Sequence, residues 1–249
     1  MKKKYKALML DLDGTTVHNN PTSMPSESVI KAVLKAHKKL SVCLVTGRPL
    51  RRTEPIMDIL QITAPTVLLG GSQIIAGENR EYVYERPLQK EDATHILKIL
   101  KPYHKQLLID EREGSLDYNP SYKPDVIFNM MVNHLTLQEA ENLLNSLSSI
   151  KTIEAVKVVS WAEGKIALNI SHALATKQHG VFEMAKLLGI ETHEIIGVGD
   201  GYNDFPLLMA CGLKIAMGNA VAEIKAIADY VAPSVDDDGV ADIIEKFVL

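Results

Sequence analysis

Short apolar runs alternate with stretches of helical periodicity in the first third of the chain. Residues 5–10 and 42–45 are apolar runs of strand length, and residues 66–69 form a third. Over 26–40 and 51–60, apolar residues recur instead at the three- and four-residue spacing of an amphipathic helix. Strand–helix alternation of this kind predicts a mainly parallel sheet that is covered by helices on both faces.

The last third of the chain repeats this alternation. Helices are predicted over 177–188, 203–210, 221–228 and 240–247, and strands over 195–198, 213–217 and 230–231. Thr176 stands where its side chain can cap the first of these helices. The two outer thirds together predict an α/β fold with a Rossmann-like, mainly parallel sheet core.

The middle of the chain follows a different pattern. Apparent strands at 106–109, 127–132, 155–160 and 165–170 are mixed there with helical segments at 90–100 and 137–147. This mixture predicts an α+β domain inserted into the α/β domain. The predicted division places the core at 1–82 and 171–249 and the insert at 83–170.

Composition narrows the class of protein. The chain has 249 residues, of which 46% are hydrophobic, and this is enough for a large buried core. A net charge of −4 gives no basic field for nucleic acid, and no apolar stretch reaches membrane-spanning length. The apolar run after the basic residues 1–6 ends at Asp11, too soon for a signal peptide. Cys43 and Cys211 lie far apart in apolar segments, which favours free thiols and a cytoplasmic location.

The segment from Asp11 to Thr15, Asp-Leu-Asp-Gly-Thr, directly follows the first predicted strand. Carboxylates at i and i+2 of an extended backbone project to the same side. Two like charges held together require a cation, a shared proton or both. An ordinary Asp-Gly turn at a strand end is the alternative interpretation of Asp13 and Gly14.

Three other polar segments are predicted at the same edge of the sheet, where ligands bind in open parallel sheets. They are Thr46-Gly47-Arg48, the run Gly-Asp-Gly-Tyr-Asn-Asp at 199–204, and Lys177 at the start of a helix. Each has an ordinary structural alternative, namely a plain strand end, an acidic turn before a helix, and one lysine among many. Taken together they predict a single pocket.

The content of this pocket suits phosphoryl transfer. Asp11 can attack phosphorus, and Asp13 can give a proton to the leaving oxygen and later take one from water. Mg²⁺ prefers oxygen ligands, and Asp11, Asp200 and a backbone carbonyl near Asp13 can supply them.

The remaining polar residues suit the phosphate and its surroundings. Thr46 and Gly47 offer a hydroxyl and an unobstructed N–H to phosphate oxygens, and Lys177 adds a positive charge beside the carboxylates. Asn203 and Asp204 can hold Lys177 or a metal-bound water. No Gly-x-x-x-x-Gly-Lys-Ser/Thr loop is present, so a P-loop nucleotide site is unsupported.

In their order along the chain, these segments resemble the haloacid dehalogenase (HAD) superfamily. Residues 11–15 look like its first motif, and Thr46 matches the second. Lys177 matches the third motif, and residues 199–204 match the fourth. The insert between the second and third motifs resembles a C2-type cap. Residues 216–220 together with 238–240 are similar to the Cof-type sugar-phosphatase branch.

The resemblance implies a role for each matched residue. Asp11 is the expected nucleophile and Asp13 the general acid and base, while Thr46 and Lys177 hold the phosphate. The implied Mg²⁺ ligands are the carboxylates of Asp11 and Asp200 and the carbonyl of Asp13. The implied reaction is Mg²⁺-dependent hydrolysis of a small phosphorylated metabolite, such as a sugar phosphate.

Other functions stay open on the sequence. A phosphomutase or phosphotransferase would need an acceptor site in the cap, and a non-catalytic regulator that binds metal or ligand would need only the pocket. Arg48 can contact substrate or cap a helix, and Asn203 is assigned to substrate binding. Tyr122, Asn129 and Trp161 are candidate cap residues for specificity, and the oligomeric state is not predicted.

Overall fold

The core of the protein is a parallel sheet built on a buried central strand. The structure, a computed structural model, describes residues 5–112, 114–121, 124–160 and 162–249. The core strands are β1 (Ala7–Leu10), β2 (Ser41–Leu44), β11 (Ile195–Gly199), β12 (Leu213–Ala216) and β13 (Tyr230–Val231). Their spatial order is β13-β12-β11-β1-β2, with every neighbouring pair parallel, so the predicted α/β class is confirmed.

Helices cover both faces of this sheet because its central strand is apolar on both sides. Leu8 and Leu10 of β1 pack into one hydrophobic cluster, and Ala7 and Met9 pack into another on the opposite face. The first cluster includes side chains of α1 (Glu27–Ala36), α2 (Leu50–Ile59) and α8 (Gly239–Phe247). The second includes side chains of α5 (Lys177–Leu188), α6 (Phe205–Ala210) and α7 (Ala222–Ile227).

A second sheet lies in the middle of the chain and is called the cap sheet below. Its strands are β6 (Leu107–Glu111), β7 (Gly114–Asp117), β8 (Asn129–Leu135), β9 (Ile153–Val159) and β10 (Ile166–His172). They are antiparallel in the order β7-β6-β8-β10-β9. Helices α3 (Lys90–Ile99) and α4 (Leu137–Leu147) pack through their apolar residues on one face of this sheet. The other face is therefore left for the cavity described below.

A small three-stranded antiparallel sheet connects the two parts. It comprises β3 (Thr66–Leu68), β4 (Gln73–Ile75) and β5 (Tyr82–Glu85), and a parallel bridge from Val45 to Val67 joins it to the core sheet. The sequence pattern predicted β3 but neither β4, β5 nor β7. The predicted domain division remains a prediction, with β5 beginning at its first boundary and β10 running past its second.

Among the described residues, no helix combines the length and the apolar composition that crossing a bilayer requires.

Candidate active site

The turn after β1 places Asp11 at the carboxyl end of the core sheet. The Asp11 N–H donates to the Val198 carbonyl of β11 (3.1 Å), so Asp11 continues the parallel pairing of its strand. The chain then turns tightly, because the N–H groups of residues 15–17 converge on the Leu12 carbonyl. The Thr16 hydroxyl donates to the Asp11 carbonyl (2.6 Å) and fixes the backbone there. The Asp11 side chain is buried at this point, with only 4% of the residue exposed.

Gly14 lets this turn lie directly against Asp200, which follows β11. Its φ is +84°, and a Cβ atom there would stand 2.3 Å from Asp200 Oδ2. The next residue, Thr15, donates its hydroxyl to Asp200 Oδ1 (2.8 Å). The turn and Asp200 therefore fit together only with glycine at this position.

Lys177 connects the carboxylates of Asp11 and Asp204. It is the first residue of α5, which begins here because the Thr176 side chain accepts a hydrogen bond from the His179 N–H. The Lys177 Nζ donates to Asp11 Oδ1 (2.5 Å) and to Asp204 Oδ1 (2.6 Å), and its side chain is 2% exposed. The predicted convergence of Asp11, Lys177 and the 199–204 segment is thus present in the structure.

Asp204 holds the loop around it as well as the lysine. Its Oδ2 accepts hydrogen bonds from the N–H groups of Asp200 and Gly201, both at 2.9 Å. Asp204 is 1% exposed, so the carboxylate acts from inside the protein. Asp204 thus contacts Lys177, and its predicted supporting role toward substrate or metal stays a prediction.

Burial and crowding of like charges disturb the pKa values of this group. Burial raises the pKa of Asp11 well above its usual value, and the Asp204 carboxylate raises it further, while Lys177 opposes both. Burial, followed by the Asp204 carboxylate, raises the pKa of Asp200 to about 7. Burial alone would lower the pKa of Lys177, but the Asp11 and Asp204 carboxylates raise it above its usual value. The cluster thus holds more negative charge than one lysine offsets.

The donor atoms of this cluster suit a hard divalent cation. One carboxylate oxygen from each of Asp11, Asp200 and Asp204 lies within 4.8 Å of the others. Mg²⁺ takes oxygen ligands, and its charge would relieve the repulsion that raises these pKa values. The residues present therefore fit the predicted cofactor.

Asp13 lies beside this cluster, and its carboxylate is held by Arg48. The Arg48 Nε donates to Asp13 Oδ2 (2.9 Å), and a terminal guanidinium nitrogen donates to Asp13 Oδ1 (2.5 Å). The same nitrogen also donates to the Asn20 carbonyl (3.1 Å). Arg48 is buried while the Asp13 side chain is 24% exposed, so the pair connects a shielded guanidinium to a carboxylate that solvent and substrate can reach. Arg48 thus positions Asp13, a contact that neither sequence interpretation of Arg48 included.

Thr46 and Gly47 occupy different environments. Thr46 is fully buried, and its hydroxyl accepts a hydrogen bond from the Arg48 N–H (3.0 Å). Gly47 lines the cavity, and a Cβ atom there would meet nothing within 4 Å. The phosphate contacts predicted for both residues remain predictions.

A cavity of about 190 Å³ joins the core site to the open face of the cap sheet. From the core, its lining includes Asp11, Asp13, Gly47, Arg48, Lys177, Asp200 and Asn203. From the cap sheet, it includes Leu108, Asp110, Met131, Asn133, Glu154, Val156 and Asn169. The cavity therefore has a charged end at the core and a mixed polar and apolar wall at the cap.

Sequence reasoning missed several contributors to this site. The Asn219 side chain donates to the Gly14 carbonyl (2.7 Å) and accepts from the Val235 N–H (2.9 Å), although its segment was noted only for family resemblance. Asp110 and Glu154 were not selected, because a single sequence does not show which face of a cap strand meets the core. The i, i+2 spacing of Asn169 and Ser171 in β10 is the signal that a known strand direction would have made useful.

Of the three candidate cap residues, the structure describes only Asn129. Asn129 is buried at the junction of cap and core, where its amide donates to the Leu69 carbonyl (3.1 Å) and accepts from the Ser72 hydroxyl (3.1 Å). Tyr122 and Trp161 lie outside the described residues.

Comparisons with known proteins agree with the fold. A family model described as haloacid dehalogenase-like hydrolase matches residues 8–156 and 123–244. The chain is 26% identical over 270 residues to the putative phosphatase YxeH of Bacillus subtilis, covering 98% of this chain and 99% of that protein. It is 24% identical over 243 residues to the phosphoglycolate phosphatase of Methanosarcina acetivorans, covering 97% and 96%. A solved structure described as the HAD subclass IIB sugar phosphatase BT4131 superposes with a TM-score of 0.81 at 24% identity, covering 97% of this chain and 98% of that one.

Proposed function

Since the chain belongs to the haloacid dehalogenase-like hydrolase family, we propose that it is a Mg²⁺-dependent phosphatase of a small phosphorylated metabolite. The class of reaction is hydrolysis of a phosphate monoester, and the intermediate is an aspartyl phosphate on Asp11. Relatives across nearly the whole chain are named phosphatases, which supports this class. A sugar phosphate or a similar polyol ester is the substrate we favour.

One observation carries the proposal. A buried carboxylate, Asp11, lies at the end of a cavity with a lysine on one oxygen and Asp200 and Asp204 nearby. This arrangement holds the nucleophile in place and still leaves one of its oxygens for the substrate. An ion pair with a purely structural role would not need to line a cavity between the core and the cap sheet.

The reaction divides into two transfers at phosphorus. In the first, an Asp11 oxygen bonds to phosphorus while the ester P–O bond breaks, and the leaving oxygen takes its electron pair and a proton from Asp13. In the second, water attacks phosphorus and gives a proton to Asp13, and the bond to Asp11 breaks to release phosphate. Arg48 donates to both oxygens of the Asp13 carboxylate, which suits the second transfer, in which that carboxylate takes a proton. In the first transfer, the oxygen that carries the proton has to leave Arg48 to reach the leaving group.

Mg²⁺ would be held by the carboxylates of Asp11 and Asp200 and by the Asp13 carbonyl. When bound, it would neutralise charge on the phosphate and hold that group beside Asp11. Asp204 supports this set through Lys177 and the loop N–H groups. Gly47, Thr46 and Asn203 complete the proposed contacts to substrate.

The setting of this activity is also a proposal. Cys43 and Cys211 are free and buried, which suits a reducing cytoplasm. A net charge of −4 gives little attraction for nucleic acid or for an anionic membrane surface. The proposed partner is therefore a small phosphorylated substrate.

Hydrolysis of p-nitrophenyl phosphate tests the proposal. We expect turnover that requires Mg²⁺ and stops with EDTA, and we expect Asp11→Asn to lose at least about 1,000-fold in kcat while remaining folded by circular dichroism. Asp58→Asn is the matched control, because Asp58 is exposed and pairs with Arg80 at the surface. Wild-type turnover by Asp11→Asn would refute the assignment of Asp11 as the nucleophile. Mg²⁺ binding without turnover of any ester would favour the alternative of a non-catalytic regulator.

A further inference from the structure

The cap wall of the cavity is one face of a regular antiparallel register. In β9 and β10, Glu154 pairs with Ser171, Val156 with Asn169, and Val158 with Ala167, and all six line the cavity. Side chains of directly paired residues share a face of the sheet, so this wall is set by the strands and not by loops. Its chemistry should therefore persist when a substrate is bound.

Two carboxylates on this wall differ in whether neighbouring side chains form hydrogen bonds with them. Asp110 on β6 is 3% exposed, and the Ser115 hydroxyl donates to it. Burial raises the pKa of Asp110, opposed by its hydrogen bonds with Ser115 and Asn129 and, least, by the charge of Arg52. Asp110 is therefore a buried carboxylate that neighbouring side chains already hold by hydrogen bonds.

Glu154 is the second carboxylate, and it is exposed to the cavity. Within the described part of the chain, its side chain makes no hydrogen bond and no ion pair. The other charged groups lining the cavity are the Arg48–Asp13 pair, the cluster of Lys177 with Asp11 and Asp200, and the side chains of Arg52 and Asp110. Unlike buried Asp110, Glu154 is therefore a cap carboxylate that is accessible to a substrate and not engaged by another described side chain.

Two amides add neutral hydrogen-bonding capacity to the same wall. Asn133 on β8 and Asn169 on β10 line the cavity and are partly buried. Between described residues, neither side chain makes a hydrogen bond, so both can donate to and accept from a ligand. Hydroxyl groups are the natural partners of such amides.

From this wall we propose that the cap selects phosphate esters by the charge of their leaving group, preferring a cationic polyol to a neutral one and rejecting an anionic one. The inference rests on the phosphatase function proposed above and names its substrate class. Glu154 attracts an ammonium group and repels a carboxylate, while Asn133 and Asn169 bind hydroxyls. An amino-sugar phosphate has the preferred chemistry.

The proposed charge selection predicts a substrate preference that differs from the one implied by the name of one relative. The Methanosarcina acetivorans protein is named a phosphoglycolate phosphatase, and the leaving group of phosphoglycolate carries a carboxylate. We expect that ester to be a poor substrate here, because its carboxylate would approach Glu154.

Three esters that share a six-carbon skeleton and a phosphate on C6 provide the test. Glucosamine 6-phosphate, glucose 6-phosphate and 6-phosphogluconate carry a cationic, neutral and anionic leaving group, respectively. We expect kcat/KM to fall in that order, by about fivefold or more at each step. In Glu154→Gln, the ratio of kcat/KM for glucosamine 6-phosphate to kcat/KM for glucose 6-phosphate should fall toward one. The kcat/KM for 6-phosphogluconate should rise relative to that for glucose 6-phosphate.

Glu141→Gln is the matched control, because Glu141 is exposed on α4, which packs on the other face of the cap sheet. It should keep the wild-type ranking of the three esters. p-Nitrophenyl phosphate separates the two proposals, since no turnover of that ester would refute the phosphatase itself. Turnover of p-nitrophenyl phosphate with equal kcat/KM for the three sugar esters, or a ranking unchanged in Glu154→Gln, would overturn the charge selection alone.

Discussion

Gly14 shows how strongly a single residue constrains the site. Its φ of +84° is already costly for other residues, and a Cβ atom would overlap Asp200 Oδ2 at 2.3 Å. We expect Gly14→Ala to lower the free energy of unfolding by about 1–3 kcal/mol and to weaken Mg²⁺-dependent turnover. Urea unfolding and the p-nitrophenyl phosphate assay measure the two effects.

Gly47→Ala is the control for the stability of Gly14→Ala. A Cβ atom at Gly47 would meet nothing within 4 Å, so the free energy of unfolding should change by no more than about 0.5 kcal/mol. Equal destabilisation by both substitutions would show that contact with Asp200 is not the cause.

Asp200 gives the metal-free protein a characteristic pH dependence. Its pKa is about 7 in the folded protein, against 3.8 for an ordinary aspartate, so the folded state retains a proton that the unfolded chain releases. The free energy of unfolding should therefore fall as pH rises from about 4 to about 7. Urea unfolding in EDTA at pH 5 and pH 8 should show this loss, and Asp200→Asn should reduce it.

Part of the loss should remain in Asp200→Asn, because the pKa of Asp11 is also raised by burial and by Asp204. Glu183→Gln, which removes a carboxylate on α5 that pairs with exposed Lys186, serves as the control and should keep the full pH dependence. An identical loss in wild type and Asp200→Asn would mean that Asp200 does not hold a proton in the metal-free fold.

At the scale of elements, the connection between β3 and β4 links the start of α5, the segment after β2 and the cap sheet. Leu69, Gly70 and Gly71 all have positive φ, and a Cβ atom at Gly71 would lie 2.3 Å from the Thr176 carbonyl. The N–H of Gly70 donates to the Thr46 carbonyl (2.9 Å). This turn therefore packs against the start of α5, beside Lys177, and also contacts the segment after β2.

Asn129 fastens the cap sheet to that turn through two buried hydrogen bonds, to Leu69 and Ser72. Asn129→Leu keeps the branching of the side chain but leaves the Leu69 carbonyl without this donor. We expect it to lower the free energy of unfolding by about 1–3 kcal/mol, measured by urea unfolding. Asn145→Leu on the exposed side of α4 should change it by no more than about 0.5 kcal/mol, and an equal effect of both would contradict the role of Asn129.

The accuracy of the sequence predictions depended on whether local signals were sufficient. The start of α5 at Lys177 was predicted correctly because its cap, Thr176, is adjacent. The strands β4 and β5 were missed because they are short and follow no clear alternation of polar and apolar residues. The family motifs located Asp11, Lys177 and Asp200, but the Arg48–Asp13 pair spans 35 positions and depends on how two strand ends meet. To predict that Glu154 and its neighbours line the cavity, one would need the strand register of the cap sheet.

At the scale of the whole molecule, the carboxylate cluster exists only when distant parts of the chain are folded together. Lys177 and Asp11 lie 166 positions apart, and Thr15 and Asp200 lie 185 apart. An unfolded chain would bring these groups together only at a large entropic cost, so a cation bound by the cluster stabilises the folded state specifically.

Adding Mg²⁺ should therefore raise the unfolding temperature of the whole core. At 100 times the dissociation constant the expected stabilisation is about 2.7 kcal/mol, and it should grow with the logarithm of the Mg²⁺ concentration. Differential scanning fluorimetry over a MgCl₂ series measures this, with KCl at matched ionic strength as the control. Asp200→Asn should lose most of the increase, since it removes a proposed ligand carboxylate. If KCl raised the unfolding temperature as much as MgCl₂, the effect would be screening of the net charge of −4, and the cluster would not be a cation site.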